Sequence, residues 1–309
     1  MKLIELLKNE KVPYVMKNYL AESIKHPLMI AKENLRFLRN CSGKIYIPEG
    51  GLKWETHSHT RFSHDDPSAT ISLCDALNIL FDNGYSFWSL TDHDSTKGFD
   101  SIWYGKYCLD NNNKSERQFE IIKDPEKRYM TIYSSQDENP LIMMRSVELM
   151  TDRGEINIHG YSGKIPEQGY DLFDAIKMAK DNGAKVGINH AHFWSGIGYS
   201  DPDNIEKTIE LGADWIEENG TEIPPMSFDI IRSRKIAEKF RIPIIASGDA
   251  HKDFMYAISG VSLQRNSYEE ELLRTEDQLE ALFNTISSGN YNNFLNYNTP
   301  AKTLEFLSL

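Results

Sequence analysis

Cysteine is scarce in this chain: 309 residues contain only Cys41, Cys74 and Cys108, far apart and with no CxxC pair. That spacing excludes a disulfide framework and a thiolate zinc site, and a reducing, cytoplasmic compartment is the expected home. Long apolar runs are missing as well. No stretch approaches the roughly 18 apolar residues of a membrane span, so no membrane association is expected. The opening MKLIELLKNEK places Glu5 and Lys8 where a signal peptide would need its apolar region, and no secretion signal is read. The sequon-like triplets at Asn40 and Asn219 therefore carry no weight. Positive charge is in deficit, with 34 Lys and Arg against 46 Asp and Glu and a formal net charge of -12. A long, sequence-independent grip on nucleic acid or on an anionic membrane needs basic surface, so nucleic acid stays open only as a substrate. GxSxG, GxxxxGK[ST] and HExxH are all absent, which removes the usual support for a serine hydrolase, a nucleotide-cradling loop or a zincin.

What is present describes an ordinary globular chain. Hydrophobic residues make up 40%, charged residues 26% and aromatics 11%, enough to bury a sizeable core. The length suits one large α/β barrel. Residues 1–50 read as an amphipathic helical extension, with apolar positions at Leu3, Leu6 and Leu7 and again at Leu28, Ile30, Leu35 and Leu38. From Trp54 onward, short β-type runs alternate with helical patterns and glycine stops, the grammar of βα units. Ser72 and Asp75 form an N-cap pair ahead of the apolar face Leu73, Ala76, Leu77, Leu80 and Phe81, Gly84 stops that helix, and YSFWSLT follows as a strand. The pattern returns with Leu172, Ala175, Ile176 and Ala179, the stop at Gly183 and the strand AKVGIN. Residues 100–139, with NNNK and DPEK, break the rhythm and read as a loop-rich insertion, a lid or surface elaboration over a domain of residues 51–309. The segment 269–309 reads as a closing helix, starting near Thr275, and a tail.

The strand-like endings are WETHSH, SFWSLTDH, MMRSVE, EINIH, KVGINH, ADWIEEN and IPIIASGDAH. In a parallel barrel the carboxyl ends of the strands share one face, so residues scattered in sequence converge there. Of the nine histidines only His26 falls outside these endings and the loops directly behind them. A lone histidine is usually a hydrogen-bonded surface or core residue, but a set at strand ends points to cation binding. His57 and His59 stand at i and i+2, on one face of a strand, so both imidazoles can reach one cation. An isolated HxH arises by chance wherever polar residues alternate, and weighs little alone. In TDHD, Asp92 can orient His93 and Asp94 offers a further polar partner. Glu148, in SVE, is a carboxylate that can bridge two cations, and it can equally pair with Arg145. His159 follows eleven residues later. GINHAHFW offers His190 and His192, of which His190 at the strand end is the preferred ligand. In ASGDAH, Asp249 and His251 again share a face. Such nitrogen and oxygen donors suit manganese, iron or zinc.

Taken in order, HSHTRFS, SLTDHD, VE, HGY, NHA and GDAH resemble the PHP (polymerase and histidinol phosphatase) superfamily of metal-dependent phosphoesterases, across residues 54 to about 262. The resemblance implies a distorted (β/α)7 barrel holding two or three divalent metal ions. It would place one cation on His57, His59, Glu148 and Asp249, a second on Glu148, His159 and His190, and a third on His64, His93 and His251. Where many members have Ser-Asp-Gly after the first element, this chain has Ser63, His64 and Asp65, which leaves His64 and Asp65 as alternatives; the usual His-Pro is His190 and Ala191. Bound cations would lower the pKa of a shared water and stabilise charge on the phosphoryl oxygens, with Lys97 and Arg61 as basic groups nearby. The expected activity is hydrolysis of a small phosphate ester or nucleotide. An exonuclease acting on RNA or DNA ends, and a catalytically silent barrel used as an interaction module, are the rival expectations.

Overall fold

A computed structural model describes residues 48–63, 66–105, 117–165, 169–219 and 228–296, with positions 27, 28, 31 and 35. Seven strands form a nearly closed ring in the order β1 (Leu52–Ser58), β2 (Tyr85–Leu90), β5 (Leu141–Thr151), β6 (Gly154–His159), β7 (Lys185–Ile188), β8 (Trp215–Asn219) and β9 (Ile244–Ser247). The gap between the first and last is bridged by Thr56 Oγ1, which donates to the Ala246 carbonyl at 3.0 Å, and by a parallel bridge between Ser58 and Ala250. The expected distorted α/β barrel is therefore the observed one.

Local sequence explains the first βα unit. The Ser72 hydroxyl accepts from the Asp75 amide at 3.1 Å and caps α1 (Leu73–Asp82). Such a cap is worth about 1 kcal/mol. Leu73, Ala76, Leu77, Leu80 and Phe81 are all buried against the sheet, and the large ones contribute roughly 1.5–3 kcal/mol each. The helix α2 (Lys97–Trp103) follows β2, and the unit formed by α3 (Leu172–Asp181) and β7 repeats the arrangement, capped by Asp171. The shorter α4 (Asp203–Glu210) and the longer α5 (Phe228–Phe240) follow β7 and β8.

Three expectations need correction. The ring is not all parallel: β6 runs antiparallel to both β5 and β7, whereas β1–β2, β2–β5, β7–β8 and β8–β9 are parallel. Only two residues separate β5 from β6, and a parallel crossover needs a dozen or more. Second, the described part of the insertion is a hairpin of β3 (Phe119–Lys123) and β4 (Tyr129–Ser134), and β4 pairs with Leu141–Met144 in the amino-terminal half of β5. Third, the carboxyl-terminal region holds two helices, α6 (Arg265–Thr275) and α7 (Gln278–Ser287), split at Glu276, whose φ is +56°, and restarted by an Asp277 cap. The strands β10 (Gly260–Leu263) and β11 (Tyr291–Phe294) then extend the sheet antiparallel from β1. The helical extension expected over residues 1–50 lies almost wholly outside the described residues.

The core sits below the functional end. Trp54, at the amino-terminal half of β1, packs edge-on to Trp215 at 5.6 Å and to Phe283 of α7 at 6.3 Å, so α7 closes the barrel floor. With its base filled by aromatic rings, the barrel leaves only the opposite end for polar chemistry.

Candidate metal centre

The strands β1, β2, β5, β7 and β9 deliver their terminal side chains to one place. His57 and His59 share a face, and their Nε2 atoms converge to 3.0 Å. Glu148 sits between two groups of imidazoles. Its Oε2 lies 3.3 Å from the Nε2 atoms of His57 and His59 and 3.0 Å from that of His93, while its Oε1 lies 3.1 Å from His190 Nε2. Asp249 Oδ1 approaches His59 at 3.2 Å and His57 at 3.4 Å. Four sets of three residues, His59, His93 and His251; His57, His190 and Asp249; His57, His59 and Glu148; and Glu148, Glu155 and His190, each bring donor atoms within 4.8 Å of one another.

A surrounding layer fixes these rings. Glu217 holds His57 Nδ1 through Oε2 at 2.9 Å and accepts from Ser247 Oγ at Oε1, while Asp66 Oδ2 holds His251 Nε2 at 2.7 Å. Asn219 donates to Asp249 Oδ2 at 3.1 Å, and Asn189 donates to Glu148 Oε1. Carboxylate and amide partners of this kind set the tautomer and aim of ligating groups. Backbone strain is stored here too: Asp94, His190 and Asp249 have φ of +45°, +28° and +44°. Left-handed conformations cost L-residues of order 1–3 kcal/mol and concentrate at functional sites, where the surrounding structure enforces them.

The electrostatics call for positive charge. Burial alone would raise the carboxyls of Glu148 and Asp249, yet the neighbouring imidazoles, His57 foremost, hold both well below the usual range. Burial pushes His59 down to about 3, helped by the charge of His251, while the carboxylate of Glu148 overcomes burial and lifts His93 to about 10 and His190 to about 9. Two ionised carboxylates in a dry cage require compensating cations, and either protons on imidazole or divalent metals satisfy them. The donor set fits metals: imidazole and carboxylate only, with Asp249 Oδ1 buried and lacking a hydrogen-bond partner.

Seven of the expected ligands come together here: His57, His59, His93, Glu148, His190, Asp249 and His251. His64 and Asp65 lie outside the described residues. His159 is not brought into the groups, because the antiparallel register of β6 sets it opposite Ser146, two pairs below Glu148. There its Nδ1 lies 3.0 Å from Ser89 Oγ and its ring stands edge-on to Trp54. His192 is buried but belongs to none of the groups. Asp92 accepts from the Thr60 amide at 2.6 Å and from Ser63 Oγ at 3.3 Å, tying down the loop behind β1, and the charge of His93 acts on its carboxyl. Arg61 and Lys97 are exposed on the segments that follow β1 and β2. Sequence reasoning missed Glu155, Glu217 and Asp66. The signal for Glu155 was available: too short a link for a crossover forces a hairpin, which returns the amino-terminal end of β6 to the Glu148 end of β5.

No protein-family model and no curated protein matches this sequence. Solved structures do. PsfC of Pseudomonas syringae is 12% identical, over 83% of this chain and 95% of that one, with a TM-score of 0.51. A two-domain Bacteroides vulgatus protein containing a predicted PHP-like metal-dependent phosphoesterase is 14% identical, over 82% of this chain and 68% of that one, at 0.50. A lesion-specific endonuclease of Pyrococcus furiosus is 12% identical over 79% of this chain, at 0.51, and the match spans only 58% of the endonuclease's length. Likeness at such identity concerns the fold, and in fold this chain is a distorted α/β barrel like those structures.

Proposed function

We propose that this protein is a PHP-type, metal-dependent phosphoesterase that hydrolyses small phosphate esters. The observation that carries the proposal is the division of Glu148: one carboxylate oxygen faces His57, His59 and His93, and the other faces His190. A carboxylate with separate imidazole groups at its two oxygens is suited to join two cation positions. His57, His59, Glu148 and Asp249 would hold one cation and Glu148, Glu155 and His190 another, with His93 and His251 available for a third. Divalent manganese, iron or zinc bound there would activate water and neutralise phosphoryl charge. The chain's own groups do the rest. Glu217 and Asp66 keep His57 and His251 aimed, Asp92 anchors the loop carrying Arg61, and Arg61 and Lys97 are assigned to meet the phosphoryl oxygens. Placing these groups on strand ends over a packed floor holds them in one geometry without reorganisation at the moment of reaction.

The test combines metal content with turnover. After manganese reconstitution we expect at least two metals per chain and hydrolysis of 4-nitrophenyl phosphate. Glu148→Gln should retain its circular dichroism spectrum and lose turnover by a factor on the order of 10² or more, since an amide cannot serve two cations as a carboxylate does. Fewer than one metal per chain after reconstitution, or a Glu148→Gln variant with near-native rates, sinks the proposal.

A further inference from the structure

Beside the metal centre lies a groove of about 300 Å³, bounded on one side by the β5–β6 turn from Met150 to Glu155 and on the other by the loop from Trp194 to Ser200. Its size is at the lower end of small-molecule sites. Glu155 belongs to both places: it lines the groove and stands with Glu148 and His190 among the possible metal ligands. The two walls are joined by backbone, since the Glu155 amide donates to the Ser195 carbonyl at 3.0 Å. Gly154, with φ of +126°, admits this approach, because a Cβ there would come within 2.6 Å of that same carbonyl.

The lining is aromatic and polar. Trp194 is 73% exposed and Tyr199 is 40% exposed, both on one wall. An indole left in water forfeits a large apolar surface, and here it is held by an edge-on contact with Phe193 at 5.7 Å, which in turn meets the His190 ring at 6.1 Å. On the opposite wall Arg153 is braced by Asp171 at 3.2 Å and by the Phe173 ring at 4.5 Å, and its buried Nη1 has no hydrogen-bond partner. An exposed indole and a phenol on one wall, with the Arg153 guanidinium on the other, suit a planar heterocycle that stacks.

We propose that this groove receives the nucleobase of a mononucleotide whose phosphate ester is cleaved at the adjoining metal centre. The inference rests on the hydrolase reading above and adds to it the chemical class of the leaving group. A single base fits the short groove.

Two measurements separate this inference from the reading it rests on. Binding of adenosine, which has no phosphate, is followed by saturation-transfer NMR with no metal added. Its affinity should fall about tenfold in Trp194→Ala, within the range for loss of one base-stacking partner, and return to within about twofold in Trp194→Phe. Separately, the ratio of kcat/KM for adenosine monophosphate to that for ribose 5-phosphate, in manganese, should fall about tenfold in Trp194→Ala. Wild-type protein that fails to bind adenosine, or a Trp194→Ala variant that binds it equally well, overturns the subsite. If adenosine binding depends on Trp194 but neither ester is hydrolysed, the groove stands as a nucleoside site and the hydrolase reading falls. If both esters are hydrolysed with a ratio that Trp194→Ala does not move, the hydrolase reading stands and the base subsite falls.

Discussion

His57 shows how much of the centre depends on residues that touch no substrate. Its Nε2 faces Glu148 and Asp249, while its Nδ1 is fixed by Glu217, a carboxylate from β8 buried in the barrel wall. Replacing Glu217 by Gln keeps the volume but removes the charge that supports the ring. Metal affinity, measured by competition with a chelator, should fall about 10- to 100-fold with the fold retained, and an unchanged affinity would make Glu217 a packing residue only. The pair also marks what single residues disclose in advance. His57 and His59 were legible because i and i+2 on a strand must share a face, and Asp249 and His251 because they repeat that spacing behind a strand. Glu217 was not, because a carboxylate ending an apolar run looks the same whether it binds a cation, a histidine or water. Asp92 was legible as important, but its anchoring of the loop behind β1 was not, since the amide it accepts from belongs to Thr60, 32 positions away.

At the scale of elements, the reversed strand decides which residue joins the centre. Reading every strand end as pointing to one face selects His159, whereas the hairpin geometry selects Glu155, four positions earlier. The alternatives differ in outcome. Glu155→Ala should lose about one metal per chain by elemental analysis, whereas His159→Ala, which removes a ring packed beside Trp54 and Trp215, should lower Tm and keep the metal count. The helix α2 gives a second test. Burial favours the neutral form of its Asp100, but hydrogen bonds from Arg145 and Lys127 prevail and depress the carboxyl, tying the helix to β5. A depressed folded pKa stabilises above the unfolded value of about 3.9, and the contribution is lost as pH falls through the folded value. Asp100→Asn, which removes the charge these hydrogen bonds serve, should cost roughly 1.5–3 kcal/mol in urea unfolding at pH 7, with the difference from wild type shrinking as pH falls below about 3.9. The β3–β4 hairpin escaped sequence reading for a plain reason. Its strands FEIIK and YMTIYS are short and stand among the polar stretches NNNK and DPEK, which dominate the character of the segment.

For the molecule as a whole, the barrel and its order of strands were readable because each βα unit carries its own start and stop signals, while closure, the antiparallel member and the α7 floor depend on contacts between distant segments. Net charge acts at this scale as well. With -12 overall, the protein repels a polyanion except where cations are bound, and a small ester needs only that local field. Preference between a small ester and a polymer is set here by electrostatics and by the groove beside Glu155. Hydrolysis of a mononucleotide should exceed that of long single-stranded RNA at equal concentration of cleavable bonds in about 0.15 M salt, where weak nonspecific binding is not exaggerated. The salt dependence gives the sharper form of the test. A protein gripping RNA through several phosphates loses affinity steeply with salt, with a logarithmic slope of about -0.7 per contact on a single strand. Here KM for RNA should change by less than about threefold between 50 and 200 mM salt, corresponding to about one phosphate contact at most. A steep slope, with RNA the better substrate and its cleavage abolished by His57→Ala and Asp249→Ala, would show that the folded surface assembles a basic track, and would turn the same metal centre into a nuclease.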